Sequence, residues 1–326
     1  DVDRAQPHLD AKLMAAVPSQ AAAQETPKFA APVGVIGVGN MGGAMARRLL
    51  DGGCRVWVRD LRPEAEAALL QAGAQRASGC ADLARHCPLL IVAVVDAAQC
   101  DDVLFGHAGV GDAWQIGATV VLCPTIASHD VERIAERLQA RGVACIDAPM
   151  SGGPQRARDG SMSLMVACAD AVFASHEAAL RWLSSRLVRI GVRIGDGART
   201  KLVNNLLAAV NLAGAAEALA LAERVGLDPQ RTLQVIEQSS AQSWIGSDRM
   251  ARALAGDFAP RAHTSLLAKD TTLALELAQR THVQPPLGAV AQALFARACA
   301  DGLESLDDAS LLTLMRRMFD GERGVA

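Results

Sequence analysis

The chain is 326 residues long, which allows about two domains and a large buried core. Its 32 basic and 35 acidic residues nearly balance and form no basic stripe, so nucleic acid is not an expected partner. The eight cysteines include no Cys-x-x-Cys pair and none at metal-ligand spacing from a histidine. We therefore predict small buried thiols, a reducing cytoplasm and no metal site.

Residues 1–30 show no sustained apolar periodicity, and we predict a mostly disordered tail there. The segment lacks the basic start and apolar centre of a secretory signal, and it carries several acids, unlike a transit peptide. These features favour a cytoplasmic protein that is not bound to a membrane.

The first ordered stretch combines a predicted strand, Val33–Val38, with a glycine turn and a helical pattern over Met41–Leu50. In the turn, the first glycine permits a tight bend, the second lets backbone approach a pyrophosphate, and the third lets the helix pack on the strand. The helix N-terminus then faces the phosphates. The alternative is that the glycines only shape a turn. We predict a dinucleotide-binding loop made of Gly37, Val38, Gly39, Asn40, Met41 and Gly42.

A second predicted strand, Arg55–Asp60, ends in an acid. A carboxylate at this place can hold the ribose 2′-hydroxyl of NAD and repel the 2′-phosphate of NADP. Arg59 and Arg62 flank Asp60 and could instead accommodate that phosphate. We predict NAD as the cofactor, bound in part by Asp60, with NADP as the alternative.

The pattern of alternating helices and apolar strands continues to residue 194, and it predicts a doubly wound, Rossmann-type α/β domain over residues 31–194. Ser128 is the expected N-cap of one of these helices. Loops at the carboxyl ends of the strands should meet the ligand, which places Asp96–Gln99, Pro124–Ile126 and Asp147–Gly153 around the nicotinamide end. The predicted elements are Pro63–Ala72, Pro88–Val95, Ala97–Leu104, Thr119–Cys123, Ser128–Ala140, Val143–Ala148, Ser163–Cys168, Ala171–Ser184 and Arg186–Ile194.

A second stretch with chemical potential is DAPMSGGPQRARDGSMSLMV, residues 147–166. Within it, Ser151, Gly152 and Gly153 offer a hydroxyl and unhindered backbone N–H groups to an anion such as a substrate carboxylate. The alternative interpretation is an ordinary turn.

The longest predicted helix lies within Gly195–Gly226, with Gly226 expected just past its end. Apolar residues occur on almost every face, so the helix should be buried, and asparagines and a glutamate within it argue against a membrane span. Lys201 and Asn205 are four residues apart and share one face. A lysine entering a buried region is unusual, and the alternative is a lysine whose amine reaches back to water.

All segments beyond this helix are predicted to be helical, so we expect an all-α domain over residues 195–326, joined to the first by a long interdomain helix. Its several apolar faces predict a homodimer or homotetramer that packs through this domain. The predicted helices are Pro229–Ser239, Asp248–Ala255, Thr264–Gln279, Gly288–Ala300 and Ala309–Met318.

Four segments together resemble the β-hydroxyacid dehydrogenase family, which includes 3-hydroxyisobutyrate dehydrogenase and tartronate semialdehyde reductase. They are GVIGVGNMGGAMARRLL, DAPMSGGPQRARDGSMSLMV, GDGARTKLVNN and LLAKDTTLALELA. The resemblance runs from Pro32 to about Met318. Within the family, VVDAAQCDDVLFG, QSWIGSDRMARALAGDFAPR and DGLESLDDAS look most like the L-threonate dehydrogenases. At the positions of Asn204 and Asn205, threonate-type members carry His-Gln. The hydroxyisobutyrate-type enzymes carry Asn-Asn there, as this chain does.

The resemblance implies a role for each matching residue. Lys201 would be the general acid/base, and Asn205 would orient the substrate. Ser151, Gly152 and Gly153 would clamp the substrate carboxylate, and Trp244 would close off the substrate end, unless it is a core residue. Thr125 would lie near the nicotinamide ribose and Lys269 would contact the cofactor, with Asp270 as a helix or ion-pair element.

The expected function is hydride transfer between a nicotinamide cofactor and a small hydroxy acid or sugar acid, with an L-threonate-like four-carbon acid favoured. A 3-hydroxyisobutyrate dehydrogenase and a tartronate or succinic semialdehyde reductase are the alternatives within the family. A non-catalytic dinucleotide-binding module and an imine reductase are the alternatives outside it. Imine reductases commonly carry Asp or Tyr at the lysine position, whereas this chain has Lys201 and no tyrosine.

Overall fold

The computed structural model describes residues 31–321, so the predicted tail over residues 1–30 lies outside the described residues. Within the described part, the strands form one sheet in the order β3-β2-β1-β4-β5-β6-β8-β7, and β9 pairs with β8. These strands are β1 (Val33–Ile36), β2 (Val56–Arg59), β3 (Gln75–Arg76), β4 (Leu89–Val92), β5 (Thr119–Leu122), β6 (Ala144–Asp147), β7 (Met150–Ser151), β8 (Ser163–Ala167) and β9 (Arg186–Gly191).

The first six strands pair in parallel in the order 3-2-1-4-5-6, which is the doubly wound arrangement. β8 runs antiparallel to β6 and β7 and parallel to β9. Helices cover both faces: successive residues Val35 and Ile36 of β1 join core clusters on opposite sides of the sheet. The helices of this region are α1 (Asn40–Asp51), α2 (Pro63–Gln71), α3 (Cys80–His86), α4 (Ala97–Phe105), α5 (Ser128–Gln139), α6 (Gly153–Asp159) and α7 (Asp170–Leu183).

The rest of the described chain is helical and has its own core. Its centre is the 29-residue helix α8, which packs against the helices that follow it. In the described chain, α8 is the one helix long and apolar enough to cross a membrane, and its buried face is part of this core. The helices are α8 (Asp196–Arg224), α9 (Pro229–Glu237), α10 (Trp244–Leu254), α11 (Thr264–Arg280), α12 (Pro286–Ala298) and α13 (Leu311–Gly321), with a 3₁₀ turn at Asp308–Ser310.

The predicted α/β region, all-α region and long connecting helix are confirmed, but several local predictions were wrong. Ala127, not Ser128, is the N-cap of α5. α10 begins four residues earlier than predicted, because the Ser243 hydroxyl caps it by accepting a hydrogen bond from the Gly246 N–H at 3.1 Å. Because glycine is unfavourable inside a helix, Gly246 weakens the helical pattern, and the start of α10 was predicted too late.

Four short elements, β3, β7, α3 and α6, were not predicted from the sequence. Two are two-residue strands, too short to show alternation. The seven-residue α6 begins directly after the Ser-Gly-Gly turn, and Pro154 at its start is a helix-initiating signal that was overlooked.

Candidate active site

The glycine loop has the geometry that a dinucleotide requires. Gly37 has a φ of +83°, and a Cβ on Gly42 would lie 1.9 Å from the Gly37 carbonyl oxygen, so neither position accepts a side chain without rearrangement. A Cβ on Gly39 would meet only the Arg62 guanidinium, at 3.6 Å. Gly39 therefore leaves an open surface, whereas Gly37 and Gly42 are constrained by the protein itself.

The first turn of α1 is free to receive phosphate. Gly39 is its N-cap, no side chain caps the helix, and the first turn carries no acidic residue. The orphan N–H groups of Asn40, Met41 and Gly42 form an N-terminal anion site. The Asn40 amide donates to the Pro260 carbonyl at 3.4 Å, which brings a loop of the helical region up to this turn. The residues present therefore fit a bound pyrophosphate.

Asp60 lies at the end of β2, against the glycine loop. Its Oδ2 accepts a hydrogen bond from the Val38 N–H at 2.8 Å, and its Oδ1 accepts one from the Arg62 N–H at 2.9 Å. The buried Glu66 holds the same turn by accepting from the Asp60 N–H at 2.8 Å. A fixed negative charge thus stands beside the loop, with the exposed Arg62 side chain next to it.

Lys201 is on the second turn of α8 and is only 7% exposed. Burial lowers the pKa of its amine to about 8, while the nearby Asp270 carboxylate raises it and Lys269 lowers it further. Within residues 31–321 no group forms a hydrogen bond to its Nζ. A buried amine that is not engaged by the protein and titrates near neutral pH suits proton transfer.

Asn205, one turn along α8 from Lys201, connects α8 to α11. Its Nδ2 donates to Asp270 Oδ2 at 2.6 Å, and Asp270 Oδ1 lies 2.9 Å from Lys269 Nζ. The Lys269 amine also donates to the carbonyl oxygen of Thr125, in the loop after β5. These contacts bring together residues from three separate parts of the sequence, and all of them were considered in the sequence analysis: Thr125, Asn205, Lys269 and Asp270.

Asp147, at the end of β6, anchors the start of α8. Its Oδ2 accepts hydrogen bonds from the Gly195 N–H at 2.9 Å and the Ala198 N–H at 3.1 Å. Burial raises the pKa of its carboxyl to about 6, against the lowering effect of these bonds and one from Gly197. A Cβ on Gly197 would lie 2.7 Å from the Met165 carbonyl oxygen on β8, so the helix approaches the sheet closely here. This contact fixes where Lys201 sits relative to the α/β region.

Ser151 ends β7 and pairs with Ser163 of β8. Gly152 and Gly153 follow with φ values of +124° and +78°, a turn that L-residues with side chains rarely adopt. A Cβ on Gly153 would meet nothing within 4 Å. The turn therefore presents open backbone at the N-terminal end of α6.

Arg156 bridges the Ser-Gly-Gly turn and Trp244. A Cβ on Gly152 would lie 2.9 Å from Arg156 Cδ, and the Arg156 guanidinium stacks over the Trp244 ring at 4.4 Å from its centroid. Among the described residues, the Arg156 guanidinium has no carboxylate partner and no hydrogen bond. Trp244 is 43% exposed, so it is not a core residue.

The helix that carries Trp244 is held by buried ion pairs. Arg249 Nε donates to Asp308 Oδ1 at 2.6 Å, and Arg252 donates to Asp307 Oδ1 at 2.8 Å. Removing one partner of such a buried pair leaves an uncompensated charge, so these contacts fix the position of α10.

Arg156 was not singled out from the sequence, Asp147 was placed only in a loop near the nicotinamide end, and Asp270 was treated as a helix or ion-pair element. Asp270 does pair with Lys269, and it also contacts Asn205. A signal for Arg156 was present, since it is a basic residue three positions after the predicted anion turn. Nothing in the sequence indicates that Arg156 contacts Trp244, because the two are far apart in the chain.

Two family models match adjoining parts of the chain. The NAD-binding domain of 6-phosphogluconate dehydrogenase matches residues 32–191, and the NAD-binding region of NADP-dependent 3-hydroxyisobutyrate dehydrogenase matches residues 195–315. With the fold and the glycine loop, these matches define an enzyme that binds a nicotinamide dinucleotide and acts as a hydroxyacid dehydrogenase. The chain belongs to the β-hydroxyacid dehydrogenase family, in the 3-hydroxyisobutyrate dehydrogenase-like group.

Individual relatives agree with this assignment. The chain is 34% identical to L-threonate dehydrogenase of Cupriavidus necator over 86% of its own length and 95% of the relative's. A crystal structure of 3-hydroxyisobutyrate dehydrogenase from Salmonella typhimurium matches with a TM-score of 0.82 and 34% identity, covering 87% of this chain and 99% of that one. The structure of Psf3 with NADP+ and 2-OPP matches with a TM-score of 0.81 and 25% identity, with 87% and 99% covered.

Proposed function

We propose that the chain transfers hydride between NAD and a small hydroxy acid, with an L-threonate-like four-carbon acid favoured, and that Lys201 is the general acid/base. The observation that carries the catalytic role is the buried Lys201 amine, whose pKa lies at about 8 and which no described residue engages. The bound nicotinamide ring supplies the hydride acceptor or donor.

In the oxidative direction, the neutral Lys201 amine removes the proton from the substrate hydroxyl oxygen. In the reductive direction, the ammonium returns that proton to the carbonyl oxygen. Burial is essential, because an exposed lysine would be protonated at neutral pH and could not act as a base.

Asn205 orients the substrate next to that amine. One hydrogen of its Nδ2 is donated to Asp270 and its oxygen accepts from Asn204 Nδ2 at 3.0 Å, so the second Nδ2 hydrogen is left to donate to the substrate hydroxyl oxygen. We propose that this locked amide fixes the substrate hydroxyl against Lys201 and that Asp270 holds the amide in place.

The carboxylate of the substrate is held at the Ser151–Gly153 turn, and we propose that Arg156 supplies the charge. The turn offers a hydroxyl and backbone N–H groups, and the Arg156 guanidinium beside it has no carboxylate partner among the described residues. A charge-assisted pair with a substrate carboxylate would satisfy it. Trp244 stacks on the guanidinium and closes the substrate end of the cleft.

L-threonate is favoured among substrates by the 34% identity to L-threonate dehydrogenase of Cupriavidus necator. A 3-hydroxyisobutyrate-like acid is the second candidate, because Asn204 and Asn205 follow the hydroxyisobutyrate-type pattern and a 3-hydroxyisobutyrate dehydrogenase from Salmonella typhimurium is equally similar. Lys269, next to Thr125, contacts the cofactor from the helical side in this proposal.

We further propose that the domain boundary lies near residue 195, that the protein is cytoplasmic, and that it forms a homodimer or homotetramer through residues 195–326. The α/β sheet ends at Gly191 and α8 begins at Asp196, which supports the boundary. Bacterial relatives of the same class support the localisation.

The test is a panel of three- to five-carbon hydroxy acids with NAD+ and NADP+, followed by the absorbance of the reduced nicotinamide. Lys201→Met should lower kcat for the best acid by ~10²–10⁴, the range for general acid–base catalysis. Lys201→Arg keeps the charge and cannot deprotonate, so it should bind substrate without turning it over. A folded Lys201→Met enzyme that binds NAD and keeps more than a tenth of wild-type kcat would refute the catalytic role.

The role of Arg156 has its own test. Arg156→Gln should lower kcat/KM for the acid by about 10- to 100-fold, the value of a charge-assisted hydrogen bond, and leave kcat/KM for its neutral methyl ester unchanged. Arg158→Gln on the same helix is the matched control, since Arg158 pairs with Asp51 instead. An equal loss for acid and ester would show that Arg156 only supports Trp244.

A further inference from the structure

Glu66 on α2 is a buried carboxylate that faces three donors at the end of β2. The residue is only 1% exposed. Its Oε1 accepts a hydrogen bond from the Asp60 N–H at 2.8 Å and lies 3.7 Å from Arg59 Nη1, and its Oε2 lies 2.7 Å from Arg76 Nε. In the described chain, Glu66 is the one carboxylate that pairs with either arginine. A single buried side chain therefore holds two guanidinium groups.

The packing of α2 against the sheet does not explain a glutamate at this position. Leu69, three residues further along the same helix, is buried in the core with an apolar side chain. A buried ion pair is often no more stabilising than well-packed apolar residues, because both charges lose their hydration. The charge of Glu66 is therefore explained better by its effect on the two arginines than by the stability of the fold.

Arg59 and Arg76 lie near the carboxyl ends of neighbouring strands. Arg59 is the last residue of β2, and β2 pairs in parallel with β3, with Val58 opposite Arg76. Ligands of a doubly wound sheet bind at this edge, and an acid that follows the second strand contacts the adenine ribose. Asp60 has that position. Two cations thus stand next to the place where NADP would carry its 2′-phosphate.

We propose that Glu66 is a positioning residue for cofactor choice: it holds Arg59 and Arg76 against α2, where neither pairs with a 2′-phosphate. Asp60 then repels the phosphate directly, and Glu66 keeps away the cations that would bind it. The inference rests on the proposed preference for NAD. Arg62 lies outside this arrangement, because its side chain is 63% exposed and lies 3.7 Å from Asp60 Oδ1, not against Glu66.

The test compares Glu66→Gln with wild type by the Kd values of NADH and NADPH, measured from nicotinamide fluorescence. The amide oxygen can still accept from the Asp60 N–H, whereas the Arg76 guanidinium loses its partner. Arg59 and Arg76 are 31% and 51% exposed, so water can solvate them and the variant should fold. NADPH should bind about 10- to 100-fold more tightly, the value of one charge-assisted hydrogen bond, while the Kd of NADH stays within about twofold.

Two further variants separate the loss of a charge from the release of the arginines. Glu64→Gln removes the same charge from an exposed position on the same helix, where Glu64 pairs with no group in the described chain, and it should leave both Kd values unchanged. Adding Arg76→Gln to Glu66→Gln should cancel most of the gain for NADPH, because the released guanidinium is then missing. Calorimetric titration with adenosine 2′,5′-bisphosphate and 5′-AMP should show the same gain for the bisphosphate alone.

An unchanged ratio of the two Kd values in Glu66→Gln, or equal weakening of NADH and NADPH, would overturn the proposal, since Glu66 would then only support the turn. Glu66→Met, which fills the buried position without a charge, is the second variant and should change the ratio in the same direction. A wild type that binds NADPH more tightly than NADH would overturn this inference together with the proposed preference for NAD. None of these binding results bears on Lys201 or on the acid that is oxidised.

Discussion

The loop Gly37–Gly42, at the proposed dinucleotide site, is built from main-chain atoms of a single stretch. The region around Lys201 is built instead from side chains on separate helices. At the first end, the constraint is steric: a Cβ on Gly42 would lie 1.9 Å from the Gly37 carbonyl oxygen. At the second, Lys201 on α8 is tuned by Asp270 and Lys269 on α11. Substitutions at the loop should therefore act through shape, and substitutions around Lys201 through charge.

This difference explains why the two ends respond to different mutations. At a site built from backbone, an added side chain lowers both the affinity for the ligand and the stability of the fold. A side-chain-built site fails when a charge or a proton changes, and the fold can remain intact. The following predictions test this division, in order of decreasing effect.

The largest effect is expected at the loop. Gly42→Ala places a Cβ 1.9 Å from the Gly37 carbonyl oxygen and should abolish measurable NAD binding, with a stability loss of about 1–3 kcal/mol typical of overpacking. Gly39→Ala is the control, because its Cβ meets only the flexible Arg62 at 3.6 Å. It should keep the wild-type Tm and lose affinity only for the dinucleotide. Calorimetric Tm and NAD titration measure both, and a Gly42→Ala protein that matches wild type in both would contradict the steric account.

Asp147 on β6 joins the α/β region to the start of α8, the helix that carries Lys201. In Asp147→Asn, the amide oxygen can keep the two bonds now made to Oδ2, but the amide nitrogen replaces the other oxygen beside the Gly197 N–H, which also bonds to this carboxylate. This should cost about 1–3 kcal/mol of unfolding free energy for an unsatisfied buried donor. Asp96→Asn is the matched control, since Asp96 caps α4 at an exposed site where Asn serves equally well. Urea unfolding compares the two variants. Equal stability would mean that Asp147 does not anchor α8.

Cofactor choice gives the smallest predicted effect. Asp60→Asn keeps a hydrogen-bond acceptor for the loop and removes the charge that repels a 2′-phosphate, so the preference for NAD+ over NADP+ should fall about tenfold, or about 1.4 kcal/mol. Arg62→Ala should shift the preference the other way. The ratio of kcat/KM values for the two cofactors is the measurement. A wild type that prefers NADP+ tenfold would show that the arginines decide instead.

The loop and the order of elements could be predicted from the sequence because their signals are local. Three glycines with fixed spacing between a strand and a helix need no information from the rest of the chain. The alternation of apolar strands and helices to residue 194, followed by helices alone, likewise predicted the α/β and all-α regions. The short elements β3, β7, α3 and α6 carry too few residues to show a period.

The contacts around Lys201 could not be predicted, because they join residues that are distant in sequence. The resemblance to a family pointed to Lys201, Asn205 and Lys269, but the bond from Asn205 to Asp270 spans 65 positions and the bond from Lys269 to Thr125 spans 144. The stacking of Arg156 on Trp244 is a contact of the same kind. Only the packing of α8, α10 and α11 brings such groups together.

The central claim is that Lys201 is a buried base tuned by two neighbours of opposite charge, and the pH dependence of kcat/KM in the oxidative direction tests it most directly. Since the amine must be neutral to accept the proton, activity should rise with pH through an apparent pKa of about 8, and the reductive reaction should fall over the same range. Asp270→Asn removes a charge that raises this pKa and should move the profile to lower pH. Lys269→Gln removes a charge that lowers it and should move the profile to higher pH. Profiles that do not move in either variant would contradict the assignment of the proton transfer to Lys201.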